Sequence, residues 1–214
     1  MNAEDLQALR ARLTSIQQAE KVTLMLARRS GIVPNYEWRP EPRPYCNVRT
    51  RTEYNGKIVR THRDPPLPFH ADSRGPGTCR VCGQPIYGGG GWRKKDGARS
   101  TRLTWHTVCT TTYLVMTKPV DYAAALILRQ DQRCAISGDP IALPYLRGVE
   151  VDHDVPLFRV AREHADEPWF EMLRFWMTGN LRAITREAHL AKCAAEAKER
   201  SRNRKPEIGQ EAML

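Results

Sequence analysis

Four residues in two short pairs carry the clearest chemistry in this chain. They are Cys79-x2-Cys82 and His106-x2-Cys109, with 23 residues between the pairs. Three sulfurs and an imidazole at this spacing are the usual way to deliver four tetrahedral ligands to zinc, each pair riding on a tight turn. Gly83 follows the first pair and permits the sharp backbone it needs. Four protein ligands leave no open coordination position, so the expected ion is a structural Zn2+. Its binding energy would substitute for the core that so short a segment lacks. The plain alternative is two free-thiol pairs inside an apolar cluster.

A second constellation lies downstream. Val149-Glu150-Val151-Asp152-His153-Asp154-Val155-Pro156-Leu157 is followed by Gly179-Asn180-Leu181-Arg182, and then by His189-Leu190-Ala191-Lys192. A strand with adjacent Asp and His, an Asn before a second strand, and a His on the next helix resembles the HNH endonuclease family of bacteriophage and bacterial genomes. The resemblance covers roughly residues 120–200. It implies a ββα-metal fold in which two strands and a helix clamp a divalent ion and hydrolyse phosphodiester bonds. Carried over residue by residue, it makes His153 the general base, Asp152 and His189 ligands of a catalytic metal, and Asn180 a side chain that bonds the backbone near His153. Mg2+ is the expected catalytic ion, with Mn2+, Ni2+ or Zn2+ as alternatives. Lys192, one helical turn after His189, is placed to approach the same phosphate. In a regular strand Asp152 and His153 point to opposite faces, so both serve one site only if the strand ends there; Pro156 makes an early end reasonable.

The pattern also departs from the family. Many relatives brace this unit with a zinc held by two Cys-x2-Cys pairs, but the matching positions here read Cys134-x2-Ser137 and Thr185-x2-Ala188. No zinc is expected inside the HNH unit, and Cys134 is expected to be a buried thiol. Cys193 stands four residues after His189, where some relatives carry another metal-binding His; a structural role is expected for it.

These residues need elements to position them. Leu6, Leu9, Leu13 and Ile16 recur at helical spacing and predict a helix over residues 4–29. Prolines 34, 40, 42 and 44 then mark a linker, and Asn55-Gly56 suits a tight hairpin turn inside a basic ribbon. Gly88-Gly89-Gly90-Gly91 predicts a flexible tip to the zinc segment, and Arg93, Lys94 and Lys95 after it are expected to contact nucleic acid. Helices are predicted near 121–133, 168–177 and 186–200, and strands at 149–155 and 181–184. The expected fold class is α+β: a small nuclease domain, a zinc-stabilised module and an N-terminal helix. The expected units are 1–45 (helix and linker), 46–77 (basic hairpin and connector), 78–118 (zinc module), 119–205 (HNH domain) and 206–214 (tail).

Composition narrows the partners. The 214 residues hold 34 Lys and Arg against 24 Asp and Glu, a net charge of +10. That excess favours a polyanion, because each neutralised phosphate releases counterions. No apolar run is long enough to span a membrane, and the acidic start MNAEDLQALR lacks a signal core, so a cytoplasmic, non-exported protein is expected. The function these readings favour is a metal-dependent endonuclease acting on nucleic acid, DNA by the habit of the family. The alternatives are a zinc-dependent nucleic-acid-binding protein, or an accessory subunit of a DNA-processing assembly such as phage packaging. A second copy of the chain is a further expected partner.

Overall fold

The computed structural model describes residues 1–31, 49–54, 57–63, 76–144, 146–164 and 167–204. The Pro-rich linker, the Asn55-Gly56 dipeptide, most of the connector after Arg63 and the C-terminal tail lie outside the described residues. The chain is α+β, with six helices and two two-stranded antiparallel sheets among the described residues. None of these helices is long and apolar enough to cross a membrane.

Helix α1 (Ala3–Ser30) begins with a reciprocal cap: the Asp5 N–H donates to Asn2 Oδ1 (2.8 Å) and the Asn2 N–H to Asp5 Oδ2 (3.1 Å). It stops at Gly31, whose φ of 58° is the left-handed conformation that glycine adopts freely. The stripe that reaches the core is Ile16, Ala19, Glu20, Thr23, Leu26 and Ala27, in the C-terminal half. Leu6, Leu9 and Leu13 continue the same face but are only half-buried, because the first turns project beyond their packing partners.

Strands β1 (Arg49–Tyr54) and β2 (Lys57–Arg63) form a hairpin with a register shift between Thr52 and Glu53. The Cys/His segment follows. It leads into α2 (Thr107–Thr117), a 3-10 turn over Pro119–Tyr122, and α3 (Ala123–Arg129). Strand β3 (Val149–His153) pairs in regular register with β4 (Leu181–Thr185), from Val149 opposite Thr185 to His153 opposite Leu181. Between these strands lie α4 (Leu157–Glu163) and α5 (Trp169–Leu173), and α6 (Arg186–Arg204) packs across both strands.

Two apolar clusters hold these parts together. One joins Leu26 and Ala27 of α1 to Val81, Ile86, Met116, Trp169 and Trp176. The other joins Ile16, Val115, Leu126 and Ile127 to Leu181, Ala183 and Ile184 of β4. Trp169 is wholly buried, and its indole Nε1–H donates to the Val81 carbonyl (3.1 Å), tying α5 to the turn between Cys79 and Cys82. Trp169→Ala is expected to lower stability by about 3–5 kcal/mol, since it leaves both a cavity and a buried carbonyl without its donor. Urea unfolding with an unchanged slope is the measurement.

Candidate functional site

The Cys/His segment closes on itself before any ion is considered. Thr78 bridges Pro85, the Cys79 N–H donates to the Gln84 carbonyl (2.9 Å), and the Gly83 N–H donates to the Cys79 carbonyl (2.8 Å). Gly83 sits at φ 74°, where a Cβ would be strained. This turn presents Cys79 and Cys82, while His106 and Cys109 come from the start of α2. The His106 Nε2–H donates to the Pro85 carbonyl (2.9 Å), which selects the tautomer whose Nδ1 lone pair faces the sulfurs. Nδ1 lies 3.3 Å from Cys82 Sγ and 3.8 Å from Cys109 Sγ.

All four side chains are buried, and their ligand atoms lie within 4.8 Å of one another. The Thr23 hydroxyl, which accepts from Thr112 (3.1 Å), lies 3.6 Å from Cys109 Sγ and attaches α1 to the rim. Hydrogen bonds from Cys109 and Cys82 draw Cys79 below the usual thiol range, while Cys79 and Cys82 push Cys109 above it. Thiols this close share one negative charge unless a cation compensates, and the first turn of α2 adds a favourable dipole at Cys109. The donor set and the aimed Nδ1 are compatible with a structural zinc.

The glycine run and its basic neighbours are partly as expected. Arg93, Lys94 and Lys95 are exposed. The tetraglycine, however, is a close-packed turn rather than an open tip. The Tyr87 and Gly91 backbones bond to each other, a Cβ on Gly88 would fall 1.9 Å from the Asp96 carbonyl oxygen, and one on Gly91 would fall 2.4 Å from Asp96 Oδ2. Close approach to Asp96 demands glycine at 88 and 91, and Thr107 does so at 90, while Gly89 faces open space.

At the second constellation, Asn180 is the organising side chain. It is 7% exposed, and a 3-10 turn over Thr178–Asn180 delivers it at the head of β4. Its Oδ1 accepts from the Val155 N–H (2.8 Å), and its Nδ2 donates to the carbonyls of Val155 (3.0 Å) and Phe175 (2.8 Å). Its own backbone carbonyl accepts from the Asp154 N–H (2.8 Å). The chain immediately after His153 is therefore held on both its N–H and C=O sides. His153 is the last residue of β3 and still pairs in register with Leu181, so the strand runs through both Asp152 and His153 and their side chains leave on opposite faces, against the early end that Pro156 suggested.

Asp152 and His189 are not drawn into a ring of ligands. Among the described residues, the Cys79–Cys82–His106–Cys109 group is the one place where three or more His, Cys, Asp or Glu ligand atoms gather so closely. Asp152 instead forms an ion pair with Lys192, whose ammonium also donates to the His153 carbonyl (2.9 Å) and lies 2.7 Å from Glu196 Oε1. Lys192 thus directs its charge at protein oxygens. His189 Nε2 lies 3.4 Å from the exposed Cys193 Sγ. Asp and His suit a divalent ion as donor types, but Lys192 takes Asp152 Oδ2, so an ion using that oxygen would have to displace the ammonium. Arg182, opposite Asp152 in the sheet, pairs with Asp154 (2.7 Å).

Cys134 is buried, in a turn bonded like that of Cys79. The Cys134 N–H donates to the Asp139 carbonyl (2.8 Å), the Gly138 N–H to the Cys134 carbonyl (2.9 Å), Arg133 bridges Pro140, and Gly138 has φ 76°. Its sulfur accepts from the N–H groups of Ser137 (3.5 Å) and Thr185 (3.4 Å). Burial works to raise this thiol, but the hydrogen bonds from Ser137, Thr185 and Ile136 outweigh it and bring it down to about 6.

The sequence reading passed over two charged residues that bear on this region, Glu20 and Arg129. The available signal was a carboxylate inside the α1 stripe, between Ile16 and Thr23, at a position where an apolar side chain would be expected. No protein-family model, curated protein or solved structure matches the chain.

Asn180→Ala is expected to cost about 2–3 kcal/mol, because it leaves the Val155 N–H and two carbonyls without their partner. Thermal unfolding checks it, and backbone amide exchange at Val155 should rise with it.

Proposed function

We propose that the protein is an HNH-type endonuclease that hydrolyses phosphodiester bonds in DNA, with His153 as the general base and a structural zinc at Cys79, Cys82, His106 and Cys109. The observation that carries the reading is the Asn180 carboxamide, which grips the chain just after His153 from the head of the paired strand. A base must hold its imidazole at a fixed bearing to take a proton from water, and a fixed backbone just after His153 supports that role. The strand–strand–helix order of β3, β4 and α6, with Asp152, Asn180 and His189 at the expected positions, supports the same reading. A divalent ion at Asp152 and His189 would supply charge relief to the phosphate and the leaving oxygen. Lys192 then has to give up Asp152, and it remains close enough to neutralise the phosphate itself.

A second reading, a zinc-dependent nucleic-acid-binding protein or an accessory subunit without cleavage, is favoured by that same ion pair, which occupies Asp152 with a cation of the chain's own. Under either reading the net charge of +10 and the exposed Arg93, Lys94 and Lys95 favour a phosphate backbone as the partner.

Supercoiled plasmid is the discriminating substrate. The nuclease reading expects nicking with Mg2+, Mn2+ or Ni2+ that stops on chelation. It also expects a loss of about 100-fold or more in His153→Ala with binding retained. Equal cutting by His153→Ala removes the assigned base, whereas salt-sensitive binding without any nicking favours the second reading.

Elemental analysis is expected to find one zinc per chain that resists dialysis. His106→Ala should lose it and lower the unfolding midpoint, since binding energy at such sites is folding energy, about 10–16 kcal/mol apparent in small zinc units.

A further inference from the structure

The turn that delivers Asn180 is gripped from outside by two charged side chains, neither of which belongs to the sheet or to α6. From α1, Glu20 is 6% exposed; its Oε1 accepts from the Thr178 backbone N–H (2.7 Å) and its Oε2 from the Thr178 hydroxyl (2.5 Å). From α3, the Arg129 guanidinium donates to the carbonyls of Thr178 (2.7 Å) and Leu181 (2.5 Å), one on each side of Asn180. Burying a carboxylate and a guanidinium costs desolvation, and an apolar pair would fill the space without that cost. What the charged pair adds is direction: four hydrogen bonds fix Thr178 and Leu181, which bracket the Gly179-Asn180 step, and packing alone does not. Displacement of this turn passes to the backbone on either side of His153. Asn180 holds Val155 and Asp154, and Leu181 is the cross-strand partner of His153.

We infer that Glu20 and Arg129 are positioning residues for His153, and that α1, which brings no reacting group, is thereby part of the site. The catalytic consequence rests on the nuclease reading above; the positional claim is read independently of it. The test uses the full chain with Glu20→Gln, which keeps the shape but cannot accept on both atoms. Leu26→Ala on the same helix serves as a control for loss of stability alone.

Nuclear magnetic resonance of the His153 imidazole and the Asn180 carboxamide is the primary readout. Glu20→Gln is expected to shift both sets of signals and to speed exchange of the Asn180 side-chain N–H by about tenfold or more. It is also expected to slow single-turnover cleavage by about 10- to 100-fold while DNA binding is kept. Leu26→Ala is expected to lower the unfolding midpoint and leave those signals in place. Signals in Glu20→Gln that coincide with the parent's overturn the inference, as do equal shifts in Leu26→Ala. Should the parent cut no DNA, that failure falls on the nuclease reading, and the resonance result still decides the positional claim. If Glu20→Gln does not fold, Thr178→Ala removes one of the two Glu20 bonds and is judged by the same signals.

Discussion

Three sulfurs and an imidazole nitrogen within 4.8 Å of one another, in a place that water does not reach, make the severest demand in this molecule. Like partial charges at that spacing repel, and burial removes the solvent that would screen them. The surrounding structure is arranged to make the crowding tolerable. Pro85 orients the imidazole, the start of α2 points its dipole at Cys109, and Thr23 places a hydroxyl at the rim. Because Val81, between the first two cysteines, receives the Trp169 indole, the cluster also anchors α5. The apolar core containing Trp169 and Trp176 thus takes in Cys79, Cys82 and Cys109 as well.

From that anchor the order passes along the chain to the β3–β4 sheet. The segment through α5 ends in Phe175, whose carbonyl accepts from Asn180, and in the turn that Glu20 and Arg129 hold. Two sets of polar contacts therefore share the work of placing His153. One comes through backbone on the sheet, the other through side chains that reach in from α1 and α3. Lys192 closes the far side by bonding the His153 carbonyl from α6. The end of a two-stranded sheet is intrinsically soft, and here α1, α3 and α6 each contribute a polar tether near it.

Features set by local chemistry were legible in the sequence. Asn2, Asp5 and Gly31 bound α1 to within a residue or two of the expected span, and the strands at 149 and 181 follow from their flanking turns and apolar content. The four ligands were legible from spacing, because a tight turn leaves little freedom in where two nearby side chains point. Helix α2 was not: its Thr-Val-Cys-Thr-Thr-Thr opening is poor in helix formers, and burial of Cys109, Thr112 and Val115 overrides that preference. Helix α4 was also unforeseen, being a short element whose start follows Pro156. The tetraglycine read as a flexible tip, whereas Gly88 and Gly91 are placed by contact with Asp96, and the partner of Glu20 lies 158 positions away. The spacing of a single element can flag such a residue as out of place but does not name its tertiary partner.

The chain builds one backbone loop twice, at Cys79 and at Cys134, with matching bonds and a left-handed glycine in each. The first gathers three further metal-type side chains; the second surrounds its sulfur with amide hydrogens. A thiol held down to about 6 favours the folded state most above the ordinary thiol range, and that advantage fades as acid carries the solution down through 6. Two copies of one loop thus meet different demands: the first gathers donors that a cation could draw together, and the second makes its sulfur an acceptor whose contribution follows the proton.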